Sequence, residues 1–309
     1  MAAIEKVPAE VVRVSVPALV RLNQAAAGLT LRPNKVRAGM SGDYLSRFKG
    51  RGMEFAESRP YQPGDDVRNL HWRVMARTGK PFTKQFREER ERPVLIWVDI
   101  RNRMFFGTRG AYKAVVAARA AAIVAWAALR AGDRVGGVIC SDGVHHEIKP
   151  GRGKAAVLHL IRSIAEHPAW NERPPVADDA LAARAALLRL RRVARPGSLI
   201  VLLSDFVNFD EATELSLAQL SRHNELVMMH IYDGLEAELP PPGNYRLSDG
   251  SDEFVLDTSD AEYRSAYAER FNGHLEHMHA LARRSRITFL SCRTDEDPAQ
   301  VLRRSLGVR

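Results

Sequence analysis

Three short runs leave little choice of fold. Residues 94–98, 199–203 and 226–231 are wholly or mainly apolar, with no polar alternation. A strand with one wet face alternates apolar and polar side chains, whereas one buried on both faces reads as a continuous apolar run. Helical patterns lie between these runs. The first, about 109–131, is rich in alanine, has Val115, Val116, Ile123, Trp126 and Leu129 as its bulky positions, and is stopped by Gly132. Others cover about 13–31, 154–167, 178–192, 211–222, 261–284 and 298–306. Strands alternating with helices predict an α/β fold, a doubly wound, mostly parallel sheet with helices on both faces. Residues 135–140 read as a further strand, and 144–149 as its antiparallel return at one edge of the sheet. A last central strand is expected at 287–290, and a short hairpin within 240–259.

Composition narrows the class. Apolar residues make up 45% and charged residues 27% of 309, the balance of a globular chain and not of a disordered one. Cys140 and Cys292 are too few and too far apart for a disulfide framework or a thiolate metal site. The longest uncharged apolar stretch, 120–129, is half of what a membrane span needs. Glu5, Lys6 and Glu10 precede any apolar run, so no signal peptide is expected and the protein is assigned to the cytoplasm. The charge is uneven. Residues 1–98 hold 18 Lys and Arg against 10 Asp and Glu; the remainder holds 28 against 27. The basic stretch, about 32–92, shows neither zinc-finger spacing nor a clean helix-turn-helix, so an acidic protein partner is favoured over nucleic acid.

An acidic residue stands just past three of the apolar runs: Asp99, Asp205 and Asp233. In an open parallel sheet the carboxyl edge is where ligands bind. Asp99 and Asp205, with Ser204 beside them, would suit a hard cation such as magnesium or manganese. Arg101 and Arg103 oppose that reading. They follow Asp99 at alternate positions, and a guanidinium has five donors and no lone pair to ligate a cation. It replaces a cation by pairing with the carboxylate.

The run Gly64-Asp65-Asp66-Val67-Arg68-Asn69-Leu70-His71-Trp72, followed by Ala76-Arg77-Thr78-Gly79, resembles the signature of a widespread bacterial family, domain of unknown function fifty-eight. The resemblance extends through Arg59-Pro60-Tyr61, Lys84-Gln85-Phe86, Gly132-Asp133-Arg134 and Ser204-Asp205-Phe206. It implies a von Willebrand factor A-like domain over 93–309, preceded by an N-terminal helical extension (1–31) and a basic segment of short strands (32–92). It further implies a non-catalytic interaction module that partners a MoxR-type AAA+ ATPase or that ATPase's client. Metal-binding members of the A-domain fold carry Asp-x-Ser-x-Ser, a later threonine and a later aspartate. The aspartates match Asp99 and Asp205, but the serines match Arg101 and Arg103, and 176–179 lacks the threonine. The resemblance thus implies a degenerate metal-dependent adhesion site with no resident metal. A working Mg- or Mn-dependent module, and a hydrolase built on Asp99 and Asp205, are the alternatives.

The signature loop has its own physical reading. Pro63-Gly64 marks a turn, and Asp65 or Asp66 is expected to pair with Arg59, Arg68 or Arg77. Trp72 is expected to pack against the sheet domain, and His71, which stands where the family has an aspartate, to titrate within a polar cluster where the two parts meet. The segment 150–154 lacks phosphate-loop spacing. His145 and His146 face opposite sides of a strand, and His274 and His277 read as surface histidines.

Overall fold

In the computed structural model of the chain, which describes residues 9–31, 53–63, 65–88, 92–142, 145–172, 179–248 and 253–306, the apolar runs become the middle of a six-stranded sheet. The chain divides into two units, residues 33–91 and everything else.

The larger unit begins with α1 (Ala9–Val12) and α2 (Val16–Arg21). Ser15 caps α2 by accepting from Ala18 N–H, and a proline occupies its first turn. A single helix over 13–31 is not formed. After Arg21 the chain tightens into turns closed by i→i−3 bonds, such as Asn23 N–H to Val20 and Ala27 N–H to Gln24. Leu19, Ala26, Leu29 and Leu31 are nevertheless buried together.

The smaller unit holds the antiparallel pair β1 (Met53–Pro60) and β2 (Phe82–Glu88), with α3 (Trp72–Thr78) between them. The larger unit resumes at Arg92. Its guanidinium donates to the Leu31 carbonyl at 3.0 Å and pairs with Glu225 at 2.8 Å, and its N–H donates to Asp133. One arginine thus clips together the two points where the chain leaves and re-enters this unit.

The succession is then β3 (Pro93–Asp99), α4 (Lys113–Arg130), β4 (Arg134–Cys140), β5 (His146–Gly151), α5 (Gly153–Ala165), α6 (Asp179–Val193), β6 (Leu199–Ser204), α7 (Glu211–Ser221), β7 (Glu225–Tyr232), α8 (Gly234–Ala237), β8 (Asn244–Ser248), β9 (Glu253–Asp257), α9 (Ala261–Ser285), β10 (Thr288–Arg293) and α10 (Pro298–Leu306). The sheet order is β10-β7-β6-β3-β4-β5, parallel except for β5 at one edge; β8 and β9 form a separate hairpin. The last strand, expected to be central, is the opposite edge. Its inner positions, Leu290 and Cys292, are covered by the helix layer, which explains their apolar character.

Helices cover both faces. α4, α5, α10 and the N-terminal segment pack on Val94, Ile96 and Val98, while α6, α7 and α9 pack on Leu95 and Trp97. Alanine dominates α4 because that helix is enclosed nearly all round, from Lys113 to Ala128. Trp126 on α4 donates through Nε1 to the Leu19 carbonyl at 3.3 Å, which seats the N-terminal segment.

Leu19 is fully buried, so Leu19→Ala is expected to lower unfolding free energy by about 2–5 kcal/mol in urea titration. A loss below about 0.5 kcal/mol, the size typical of surface substitutions, would mean that the N-terminal segment is not part of the core.

Candidate functional site

β3 sits between β4, which follows it in the chain, and β6, which arrives after an excursion to the other side. The direction of winding therefore reverses between β3 and β6, and their carboxyl ends form the crevice where open α/β sheets place ligands. Val98 pairs with Leu203, so Asp99 and Ser204 come level. Both are fully buried.

Asp99 takes bonds from its own loop and from the end of β6. Oδ1 accepts from Arg101 N–H and Nε, both at 3.0 Å. Oδ2 accepts from Arg101 Nη2 at 2.7 Å and from Ser204 Oγ–H at 2.6 Å. The Arg101 side chain has no exposed surface. Burial opposes its charge, yet the Asp99 carboxylate holds its pKa above the ordinary guanidinium value. The loop after β3 is ordered further by Asp142, whose carboxylate accepts from Asn102 N–H at 2.5 Å.

Asp205 faces the opposite helix layer and has two cations. Oδ2 accepts from Arg103 Nε at 2.8 Å and from Lys113 Nζ at 2.9 Å, while Oδ1 accepts from Val207 N–H. Burial alone would raise its pKa; Lys113 and Arg103 outweigh that and hold the carboxyl well below the usual carboxylate range. Lys113 is itself buried, and Asp205 and Glu236 overcome the burial and raise its pKa. Its second bond, to Glu236 Oε1, is 2.6 Å. Glu236 accepts from Asp233 N–H, and Asp233 caps α8 in return. The Asp233 carboxylate then ties Thr108 and Thr294 together at 2.5 and 2.6 Å. This network runs without interruption from Arg103 to Thr294, across the ends of β3, β6, β7 and β10. Gly110, in the same loop as Thr108, has φ +77°, and a Cβ there would lie 2.3 Å from the Thr294 carbonyl oxygen.

Two features hold the loop after β6. Phe206 adopts φ +52°, a left-handed conformation that bulky residues avoid. Its N–H donates to Ser204 Oγ, and its buried ring stacks on His230 and meets Phe209 edge to face. His274, expected at the surface, is half-buried, with Nε2 3.2 Å from the Asp205 carbonyl oxygen. His277 is exposed and pairs with Glu214. His230 is enclosed by Tyr232, Phe271 and Phe289, and burial, aided by His274, pushes its pKa down to about 3. Cys140 and Cys292 are buried thiols, and burial pushes the latter up to about 12.

The donor set does not fit a divalent cation. Magnesium or manganese needs free carboxylate and hydroxyl lone pairs. Here Asp99, Asp205 and Glu236 face Arg101, Arg103 and Lys113 in balanced pairs. No group of three or more His, Cys, Asp or Glu suited to a metal occurs among the described residues. Of the five residues singled out at this edge, Asp99, Arg101, Ser204 and Asp205 are buried; Arg103, with a quarter of its side chain exposed, is the member that reaches solvent. Lys113 and Glu236 were missed by sequence reading. A lysine opening an apolar helix, at the end where the dipole disfavours a cation, was the signal available for the first.

The signature loop forms a second, separate arrangement in the smaller unit. Gly64 lies outside the described residues, as do 176–178, where the threonine was sought. Asp65 takes Arg59 at 2.7 Å, the Gln62 N–H at 2.9 Å and the Thr83 hydroxyl at 3.2 Å, and the Gln62 and Arg59 bonds lower its pKa. Asp66 caps a single 3-10 turn by accepting from Arg68 N–H. His71 caps α3 through Nδ1, which accepts from Val74 N–H, and Gly79 ends that helix at φ +67°. Arg77 lies on its last turn and Trp72 opens it. These residues build turns and caps.

Residues 57–277 match the family described as "Protein of unknown function DUF58". The chain belongs to this family. Uncharacterized proteins of Mycobacterium tuberculosis and Mycobacterium bovis are each 31% identical over 264 residues, covering 85% of this chain and 81% of theirs. Among solved structures, an aerotolerance-related membrane protein from Bacteroides fragilis is 14% identical with a TM-score of 0.42, covering 70% of this chain and 98% of its own. BatB from Bacteroides thetaiotaomicron is 12% identical with a TM-score of 0.41, covering 69% and 96%. No helix among the described residues is long and apolar enough to cross a membrane.

Arg101→Ala would strand the buried Asp99 carboxylate and is expected to cost about 3–5 kcal/mol of stability, read by urea titration. A second expectation concerns pH. Folded His230 stays neutral down to about pH 3, whereas the unfolded ring takes a proton near 6.5. Between those values the unfolded state binds more protons, so stability rises with pH, by up to about 1.4 kcal/mol per unit. In His230→Phe the melting temperature should vary less between pH 4 and 6.5 (~ the window between the two pKa values); an unchanged slope would assign the effect elsewhere.

Proposed function

We propose that this chain is a non-catalytic interaction module with a von Willebrand factor A-like sheet domain whose adhesion site is closed by its own arginines. The single observation that carries this reading is the Arg101 guanidinium lying inside the core, spread across both oxygens of Asp99. A guanidinium there supplies the positive charge that a cation would otherwise bring. It does so permanently, because it is part of the chain.

The surface offered to a partner is then not the buried carboxylates but the loops they hold, residues 102–110 and 206–210, with Arg103 and the exposed Arg109 as their cations. Such an edge suits an acidic protein face. The partner proposed is a MoxR-type AAA+ ATPase or its client, and a cytoplasmic location goes with it. A working metal-dependent module and a hydrolase built on Asp99 and Asp205 would both have to displace bonds that these carboxylates already accept from Arg103, Lys113 and Ser204.

The test is direct binding of the purified chain to the MoxR-type ATPase of the same genome, without nucleotide, in magnesium and in chelator. Equal affinity in both is expected, with Arg109→Glu weakening it at least about fivefold through a reversed charge at the edge. Affinity that disappears in chelator and in a folded Asp99→Asn variant would overturn the reading.

A further inference from the structure

The helix layer formed by α6 and α7 has an outer face that the edge network does not use. On α6, Leu181 and Leu188 stand two turns apart on one line, 60% and 43% exposed. Arg184 and Arg191 flank that line on one side, Arg189 on the other, and Arg192 continues it; all four are exposed. The inner positions Ala183, Ala186, Leu187 and Leu190 are fully buried, so the helix cannot rotate to hide its outer leucines. α7 packs beside α6 and shows Leu215, 61% exposed. From the first residue of α6 to Arg195 just beyond it there are five arginines and one acid, Asp179. The acids nearby are Asp210, which caps α7, and Glu211 and Glu214 in its first turn; Glu214 is largely buried and already paired with Arg284 and His277.

We infer that this face is a peripheral docking surface for an anionic bilayer. Leucines in line with arginines to either side are the pattern of a helix lying in a lipid interface, where the leucines enter the acyl boundary and the guanidiniums hold phosphates. The surrounding shape favours lipid over a partner helix. The cleft where α6 and α7 end, lined by Arg191, Gln219 and His223, holds only about 170 Å³. A partner's side chains would need a deeper groove, whereas leucines projecting into a bilayer need none.

The test is cosedimentation of the full chain with vesicles of phosphatidylcholine alone and with about 30 mol% phosphatidylglycerol, at low salt and at about 0.5 M salt. Partition at least roughly tenfold stronger on the anionic vesicles, and lost at high salt, is expected. The triple variant Arg184→Gln, Arg191→Gln, Arg192→Gln should lose most of it, and Leu181→Ser with Leu188→Ser about fivefold, with circular dichroism unchanged. The control triple Arg68→Gln, Arg73→Gln, Arg77→Gln, in the basic smaller unit, should bind as the parent does. Equal partition on both vesicles, binding that survives the α6 triple, or binding abolished by the control triple would each overturn the inference. The first would leave an acidic protein as the occupant to be sought for this face.

Discussion

The carboxyl edge of the sheet depends on charges buried without water to solvate them. Asp205 and Lys113 are both about 1% exposed, and Asp99 and Arg101 are fully enclosed. Moving such groups out of water costs several kcal/mol per ion, and attraction offsets that only where geometry is good and the remaining donors and acceptors are filled. Both conditions are met. Asp99 receives its arginine through two nitrogens and a serine hydroxyl besides, and Asp205 has two cations and a backbone N–H. A partial set would be worse than none. The segments after β3, β6 and β7 therefore have to take up the positions that complete the pairs, which gives the edge a definite shape.

The sheet was legible because a strand buried on both faces has no alternative to a continuous apolar run. Residues 94–98 and 199–203 could scarcely be anything else. Helix ends were legible where caps are local, as at Gly132 with φ +79°. Strand order was not, because an edge strand covered by helices is as apolar as a central one; residues 287–290 were misplaced for that reason. The site divides the same way. The pairing of Arg101 with Asp99 spans two residues and follows from side-chain chemistry. The Lys113 bonds span 92 and 123 residues, and no spacing rule reaches so far. Of the two α9 histidines read as surface, His277 is exposed, whereas His274 is half-buried because the Asp205 carbonyl, which faces it, arrives from another part of the chain.

The described residues of the family signature form turns and caps. Asp65 joins Arg59 at the end of β1 to Thr83 on β2, Asp66 starts a 3-10 turn, and His71 starts a helix. Histidine at that last position keeps an acceptor for the helix N-terminus through Nδ1, which is what a cap needs. A short polar side chain can be exchanged there without altering the path of the chain.

A built-in cation and a bound one differ in what they allow an edge to do. A metal ion can leave, and a site that depends on it responds to its concentration and to ligands that complete its coordination. The Arg101 guanidinium is tethered two residues from Asp99, so its local concentration is fixed and its loss requires the loop itself to unfold. Any change at this edge must instead come through the members that reach water, Arg103 and Glu236, each with a quarter of its side chain exposed. Both are bonded to the buried Asp205–Lys113 pair, one to each partner. A ligand that draws Arg103 outward removes one of two cations from a buried carboxylate, and the energy needed to do so is set by Lys113. The lysine thus decides how far the exposed arginine is free to turn toward a partner without leaving Asp205 unpaired.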